Sequence, residues 1–380
     1  MDFDYTDEQE QLRDAVRRWV DKGYGFERRQ QIVKKQGGFS AEAWTEMAEL
    51  GLMGLAVSDA HGGMGFGPVE AMVVMEELGR GLVLEPYAPV ALVAASILAH
   101  SKAPQAAERL AAIADGSQRI VLAHQERAAR YRLNHVTTTA SSASGSWTIS
   151  GAKSVVPTGA HAHAFIVPAR VEGAVDDASG IALFLVDRAA AGVKLRGYPT
   201  QDGACAAELS LADTPAVQLL PAGEAFGVLE LAADVAIAAL CAEAVGAMDK
   251  LLGITAEYLN TRKQFGVPIA SFQALRHRMS DMKMQLELAR SMSYFATLKL
   301  AAPAAERRRA LSQAKVQLGQ SMRFVGQQSI QLHGGIGVTE EYSAGHYFKR
   351  LTVIEMSFGD TLHHLGEVSA RMHDTAGVFA

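Results

Sequence analysis

The sequence predicts an α+β fold that is mainly α-helical, with helices first, a β domain in the middle and a long helical bundle last. Three patterns support this order: a capping motif near the N-terminus, short apolar runs separated by turn residues, and apolar residues at spacings of three and four towards the end. A chain of 380 residues is too long for one compact core. We therefore expect three domains, at residues 1–117, 118–226 and 227–380.

The first domain carries the start signals of several helices. Thr6 is followed by Gln9 at the spacing of a capping box, which predicts a helix directly after Thr6. Ser40 is a second predicted cap, for a helix over residues 41–50. A glycine-rich turn then leads to a third helical segment over residues 68–80.

The middle domain consists of short apolar runs broken by Gly, Ser, Asp and Pro. Such runs are typical of strands separated by turns, and no long helical pattern competes with them. The predicted strands are residues 120–123, 147–149, 164–167, 181–186 and 208–211.

The last domain shows the periodicity of long packed helices. One apolar stripe is consistent with core packing in a bundle and comprises Phe272, Leu275, Met279, Met282, Leu286 and Ala289. Two more long helices are predicted, over residues 310–332 and 352–372.

Composition excludes several classes of protein. The net charge of -5 gives no electrostatic basis for binding nucleic acid. Two cysteines cannot form a disulfide framework, and we expect a reducing, cytoplasmic location. The apolar run over residues 88–99 is too short to span a bilayer, so we expect no membrane span.

Two segments contain residues that core packing alone does not explain. The first is Arg262-Lys263-Gln264-Phe265-Gly266, which ends one helix, with Phe272 and Gln273 opening the next. Such a corner can expose an arginine to a phosphate, or it can be a simple helix connection. The second is Gln331-Leu332-His333-Gly334-Gly335, whose glycines permit close backbone approach to a ligand or simply end a helix.

In this order, the patterns Arg-x-Gln-Phe-Gly, Pro-Ile-x-x-Phe-Gln and Gln-x-x-Gly-Gly-x-Gly resemble the signature of the acyl-CoA dehydrogenase family. The resemblance covers essentially the whole chain, including residues 76–79. Within the family the chain is most similar to the pimeloyl-CoA dehydrogenase small-subunit type, through residues 197–203 and 346–350. It implies an N-terminal helical domain, a β-barrel-like middle domain and a C-terminal four-helix bundle.

The resemblance also implies a cofactor, partners and residue roles. It implies removal of an α-proton by a carboxylate with hydride transfer to FAD, an acyl-CoA substrate, and an electron-transfer flavoprotein as electron acceptor. Tetramers are implied, either homomeric or with a homologous catalytic subunit. By position, the residues implied to contact or flank the ADP half of FAD are Arg262, Gln264, Phe265, Phe272, Gln273, Gln331, Gly334 and Gly335.

The chain departs from the family at the catalytic base. The two positions that usually hold the glutamate base are occupied by Phe358 and Ala236. Neither side chain can accept a proton. Asp360 is the nearby candidate, although a structural turn aspartate is the alternative interpretation, because proton abstraction tolerates little misplacement.

The segments expected beside the flavin ring also differ, at residues 124–131 and 155–157. We therefore expect the non-catalytic partner in a heteromeric enzyme. The alternatives are a homomeric enzyme with an unusual base and a scaffold that binds acyl-CoA or FAD without turnover. An esterase is disfavoured because no Gly-x-Ser-x-Gly motif occurs. No metal site is expected from His363, His364 and Glu367, since adjacent histidines on a helix converge poorly.

Overall fold

The computed structural model describes residues 4–372. The chain divides into two compact units. One, which we call the helical unit, contains Met1–Arg29, Pro68–Val83 and Ile237–Ala380, and the other, the β unit, contains Gln30–Gly67 and Leu84–Ala236.

Helices occupy both ends of the chain, as expected. The described α-helices are α1 (Asp7–Gly23), α2 (Phe26–Gln36), α3 (Ala41–Glu49), α4 (Pro68–Arg80), α5 (Ala95–Ala99), α6 (Pro104–Ala114), α7 (Ala225–Thr261), α8 (Gln273–Lys299), α9 (Ala304–His333), α10 (Ser343–Met356) and α11 (Thr361–Ala370). A π-helical segment, Ala88–Ala94, leads directly into α5.

The strands of the β unit form one seven-stranded sheet that closes on itself. They are β1 (Ile120–Leu122), β2 (Thr139–Ala143), β3 (Ser146–Pro157), β4 (Ala164–Arg170), β5 (Ile181–Asp187), β6 (Val193–Pro199) and β7 (Cys205–Leu220). The pairing runs β1-β4-β2-β3-β7-β5, and β5 pairs again with β4, so the path closes into a ring. This closure confirms the barrel-like middle domain.

Both helix caps expected from the sequence are confirmed. Thr6 and Gln9 form a reciprocal capping box at the start of α1. The Ser40 hydroxyl accepts a hydrogen bond from the Ala43 N–H at 3.2 Å and so caps α3. The predicted boundaries of α4 are confirmed at both ends.

The core of the helical unit depends on a close approach of α4 to α7. A Cβ added at Gly79 would lie 2.1 Å from the Glu243 carbonyl oxygen, and one at Gly246 would lie 1.8 Å from that of Glu76. Any side chain at either position would therefore separate the two helices. Residues of α7 to α10 complete this core, with Met282, Leu286 and Ala289 of the predicted stripe fully buried.

Some of the sequence predictions were wrong. Strands β2 and β6 were not predicted, and the predicted lengths of β3 and β7 were much too short. The helix predicted over residues 352–372 is broken, since α10 ends at Met356 and α11 begins at Thr361. Phe272 precedes α8 instead of belonging to its stripe.

Helix α7 is long and strongly apolar, whereas the sequence prediction identified no segment able to span a membrane. By length and composition it could cross a membrane, which the sequence prediction did not anticipate. Of its most apolar stretch, 61% is buried inside the protein. Core helices of globular proteins pass the same test, and burial accounts for the apolar composition.

Candidate functional site

The first motif segment is a β-hairpin that follows the end of α7. Two short strands, β8 (Lys263–Gln264) and β9 (Val267–Pro268), pair antiparallel. Between them Phe265 and Gly266 have φ values of 54° and 80°. Positive φ at both central residues is the geometry of a type I′ hairpin turn. The sequence predicted a helix corner here but not the hairpin.

The hairpin presents its polar side chains to solvent. Arg262 and Gln264 are exposed, and the Gln264 Nε2 donates a hydrogen bond to the Lys263 carbonyl at 2.9 Å. The backbone of Arg262 is fixed because its carbonyl accepts a hydrogen bond from the Ile269 N–H at 2.8 Å. The guanidinium therefore stands on a fixed backbone and faces water.

Two phenyl rings lie beside these polar groups. Phe265 is 91% exposed, and its ring meets that of Phe272 edge to face, with centroids 6.1 Å apart. Gln273 is exposed at the first position of α8. Leaving a phenyl ring in water forgoes about 1.5–3 kcal/mol of burial free energy, so a further contact is expected at Phe265.

The second motif segment ends α9. Gly334 adopts φ 62° and ψ -140°, a conformation that L side chains rarely adopt. A Cβ at Gly334 or Gly335 would meet nothing within 4 Å, so open space lies over both residues. Gln331 is exposed one turn earlier. This turn is accessible to a ligand that approaches the backbone closely.

Three aromatic side chains bring the helix ends of the two segments together. His333, the last residue of α9, packs on Tyr258 in the last turn of α7, with ring centroids 4.7 Å apart. Tyr342 contacts both rings, at 6.4 Å from Tyr258 and 5.1 Å from His333. Sequence patterns did not indicate this trio, because its members lie far apart along the chain.

The His333 imidazole is held in one orientation. Its Nδ1 donates to the Ser329 carbonyl at 2.8 Å, so Nε2 carries the lone pair. That Nε2 atom is buried, and it has no hydrogen-bond partner among residues 4–372. Burial lowers the pKa of His333. The neutral ring therefore acts as a spacer between α7 and α9.

Together the two segments provide the donors that a nucleotide diphosphate requires. A guanidinium and three side-chain amides are exposed, and glycine backbone is open to close approach. Arginine and backbone N–H groups are the usual ligands of pyrophosphate. The residues present therefore fit the ADP half of FAD.

The region of the usual base contains no proton acceptor at the expected positions. Phe358 has a φ of 55°, its ring packs on the helical core, and its carbonyl accepts a hydrogen bond from His364 Nε2 at 3.0 Å. Ala236 is 1% exposed. Asp360 caps α11, since its Oδ1 accepts a hydrogen bond from the His363 N–H at 2.8 Å. This contact supports a structural role, and its use as a base stays a prediction.

A buried ion pair connects the segment expected to flank the flavin to strand β3. Lys153 Nζ lies 2.7 Å from Glu126 Oε1, and the carboxylate also accepts hydrogen bonds from Thr137 and Thr138. Burial alone would raise the pKa of Glu126, but Lys153 and Thr137 hold it well below its ordinary value. Sequence reasoning missed this pair, although two charged residues beside apolar runs were a signal.

The second altered flavin-side segment contains an unusual backbone conformation. Val155 has a φ of 51° at a bulge of β3, and its side chain is 46% exposed. A β-branched residue at positive φ is strained. The segment whose residue types differ from the family pattern thus also contains a strained backbone position.

No metal centre is formed by the described part of the chain. Among residues 4–372, no group of three His, Cys, Asp or Glu side chains is placed to hold a metal ion. Both cysteines are free and buried.

Comparison with known proteins agrees with this architecture. Models of the acyl-CoA dehydrogenase N-terminal, middle and C-terminal domains match residues 6–117, 122–214 and 226–373. The acyl-CoA dehydrogenase FadE12 of Mycobacterium tuberculosis is 30% identical over 356 residues, which covers 90% of this chain and 89% of FadE12.

Two solved structures are similar over nearly their whole length. The ChsE4-ChsE5 complex from Mycobacterium tuberculosis has a TM-score of 0.89 at 25% identity, covering 99% of this chain and 100% of the other. A variant of the Tcur3481-Tcur3483 steroid ACAD has a TM-score of 0.88 at 29% identity, covering 97% and 99%.

Helices before and after a closed sheet along the chain are the architecture of a flavin-dependent dehydrogenase. The chain belongs to the acyl-CoA dehydrogenase family. Members of this family are FAD-dependent oxidoreductases, which confirms the expected cofactor and enzyme class.

Proposed function

We propose that this chain is the non-catalytic subunit of a heteromeric acyl-CoA dehydrogenase, and that it holds the ADP half of FAD while a homologous partner supplies the base. One observation carries the proposal: the two sequence patterns assigned to the ADP half of FAD are intact, whereas Phe358 and Ala236 occupy both positions of the usual glutamate. A subunit that retains the cofactor-binding motifs but lacks the base could complete the active site of a partner chain that has the base.

The roles of individual residues follow from their chemistry. Arg262 would neutralise the pyrophosphate, and Gln264 would add a hydrogen bond beside it. Gln331, Gly334 and Gly335 would bind the adenosine end, where the backbone is open. FAD, when bound, supplies the hydride acceptor for α,β-dehydrogenation of an acyl-CoA thioester. Phe265, with Phe272 and Gln273 beside it, would seal the cofactor edge against water.

Exposed apolar side chains support a partner chain. In the helical unit Phe265 is 91% exposed, Val338 71% and Leu362 77%. These residues lie in the hairpin after α7, in the turn after α9 and on α11. Under the proposed assembly the partner chain covers these side chains, which a single chain leaves in contact with water. One of the similar solved structures is itself a complex, ChsE4-ChsE5.

The central experiment is expression of the chain alone and with its homologous partner. We expect bound flavin and acyl-CoA-dependent dye reduction only when both chains are present. Turnover by the lone chain would instead establish the homomeric enzyme. Stable flavin binding in both preparations without turnover would establish a scaffold. Electron-transfer flavoprotein should replace the dye as acceptor.

The acyl group should be identified in the same assay. A panel of straight-chain, dicarboxylic and ring-bearing acyl-CoA thioesters separates the alternatives. The likeness to the pimeloyl-CoA type favours a dicarboxylic acyl group, whereas one solved relative is described as a steroid ACAD. The thioester with the highest kcat/KM in the assembled enzyme defines the substrate class.

A further inference from the structure

A cluster of basic side chains lies on the surface of the β unit. Three arginines form it: Arg109 on α6, Arg119 directly before β1, and Arg188 directly after β5. Two histidines, His161 and His163, lie in the turn that precedes β4. We refer to these five residues as the arginine cluster. None of them belongs to the segments proposed to hold FAD, so a ligand at the arginine cluster is independent of the proposed function.

Arg119 is held rigidly in this cluster. Its Nε donates a hydrogen bond to the His161 carbonyl at 3.0 Å. Its guanidinium lies over the Phe39 ring, 4.7 Å from the centroid, and the same ring stacks on His161 at 4.9 Å. A guanidinium stacked on an aromatic face loses little further freedom when it binds a ligand. Arg119 is therefore a preorganised donor.

The contact between Arg119 and His163 places two donors side by side. The Arg119 backbone N–H donates to His163 Nδ1 at 3.0 Å, so Nδ1 is an acceptor. A neutral imidazole then carries its hydrogen on Nε2. That Nε2 lies 3.2 Å from the Arg119 Nη2, which is also a donor. Two N–H groups at this distance cannot satisfy each other, but both can donate to one acceptor.

Arg188 supports the same turn and adds a third donor. Its guanidinium donates to the carbonyls of Ala160 and Ala162. Its backbone N–H donates to the His163 carbonyl at 3.0 Å. The side chains of Arg188 and His163 are both exposed, so an anion from solvent can reach them.

Positive charge in the cluster is only partly compensated. Partial burial lowers the pKa of His163, and the other groups that lower it are Arg119, Arg188 and Arg109. No carboxylate is among the causes of that shift. Asp187 pairs with Arg109 at 2.7 Å and is itself 56% exposed. The cluster therefore keeps a positive charge, although the net charge of the chain is -5.

We propose that the arginine cluster binds a phosphate-type oxyanion, with Arg119 and His163 Nε2 donating to its oxygens and Arg188 adding charge. A tetrahedral oxyanion fits because adjacent oxygens can each accept from one of the paired donors. It also relieves the repulsion between the guanidiniums. The phosphate can be free or part of a larger molecule such as a nucleotide, and both sources share this chemistry.

The test is calorimetric titration of the full-length protein with inorganic phosphate and, separately, with coenzyme A, in chloride buffer at constant ionic strength. We expect saturable phosphate binding, with a dissociation constant on the order of 1 mM or below. Arg188→Gln and His163→Asn should each weaken it about tenfold. An asparagine oxygen can still accept from the Arg119 N–H, so His163→Asn removes the Nε2 donor while preserving the fold.

The matched control is Arg132→Gln, which removes one positive charge from an exposed position of the same unit. Arg132 pairs with Asp176, which follows β4, whereas His163 precedes that strand. The control should leave phosphate binding unchanged.

The two titrations also distinguish the sources of the phosphate. Coenzyme A binding that weakens in Arg188→Gln and His163→Asn would identify a phosphorylated ligand. Insensitivity of coenzyme A binding beside sensitive phosphate binding would identify free phosphate. Absence of saturable phosphate binding, or equal affinity in all variants, would overturn the proposal.

Discussion

At the scale of single residues, the two glycines after α9 allow an effect on ligand binding to be distinguished from an effect on fold stability. Gly335 has space around its Cβ position and no positive φ, so the backbone tolerates a side chain there. Gly334 has the same space but a φ of 62°, so a substitution there also strains the backbone. Gly335 therefore allows ligand approach to be tested without loss of stability, and Gly334 provides the comparison in which strain is added.

We predict that Gly335→Ala leaves the free energy of unfolding within about 0.5 kcal/mol of the natural protein. It should lower the flavin content of the assembled enzyme about tenfold, because a methyl group blocks close approach of the cofactor. Denaturant unfolding and flavin absorbance measure the two effects. Gly334→Ala should in addition cost on the order of 1–3 kcal/mol. Gly366→Ala on α11, also in open space, serves as control and should retain flavin. Full flavin content in Gly335→Ala would contradict the assigned adenosine site.

The sequence identified the residues of both segments but not how they meet. Arg262, Gln264, Gly334 and Gly335 were found because each lies in a short local pattern. The contact of Tyr258 with His333 depends on how α7 packs against α9, and no local pattern encodes that packing. The candidate residues at the turns were therefore predictable, and the trio that joins them was not.

At the scale of elements, prediction succeeded where burial was continuous. Strands β4 and β5 are almost wholly buried and appear in the sequence as apolar runs. Strand β6 alternates and is mostly exposed, and β2 is exposed along most of its length, so neither has an apolar run. The break between α10 and α11 was missed because the apolar periodicity continues across it, although Gly359 at φ 114° and the cap Asp360 were local signals of a new helix start.

The ion pair of Lys153 on β3 with Glu126 is a second element-scale feature. Its members lie 27 residues apart and are almost completely buried, with side-chain exposures of 0% and 5%. We predict that Lys153→Met destabilises the fold by about 3–5 kcal/mol, because it leaves a buried carboxylate without a cation. Adding Glu126→Gln should recover part of the loss. Denaturant unfolding measures both.

The exposed pair of Lys283 and Glu287 provides the control, and Lys283→Met there should cost about 0–1 kcal/mol.

The contribution of Glu126 to the free energy of unfolding depends on pH with a definite sign. Because the folded-state pKa of Glu126 lies below its unfolded value, its contribution is complete at neutral pH and is lost as pH falls below the ordinary carboxyl range. Equal costs for the two lysine variants would refute the assigned role of the buried pair.

At the scale of the whole molecule, the chain combines a family fold with the absence of glutamate at both positions expected for the base. The closed sheet and the long helices are those of an acyl-CoA dehydrogenase. The chain has no glutamate at either usual base position, and its helical unit exposes apolar side chains such as Leu362. In the proposed assembly, a second chain would supply the glutamate and cover these apolar side chains.

The base is therefore tested best in the assembled enzyme, through Asp360. Asparagine is as good a helix cap as aspartate, and its Oδ1 can still accept from the His363 N–H. It cannot take up a proton as a carboxylate does. Asp360→Asn thus removes one candidate base while it preserves the start of α11.

We predict that Asp360→Asn changes kcat of the assembled enzyme by less than about twofold, because the proton is removed by the partner. If Asp360 were the base, kcat would fall on the order of 10²–10⁴-fold. Asp360→Ala, which loses the cap, should cost about 1 kcal/mol of stability with kcat also preserved. Steady-state kinetics and thermal unfolding on the same preparations separate the two effects. Replacement of the aligned glutamate on the partner should abolish turnover, which would place proton abstraction on that chain.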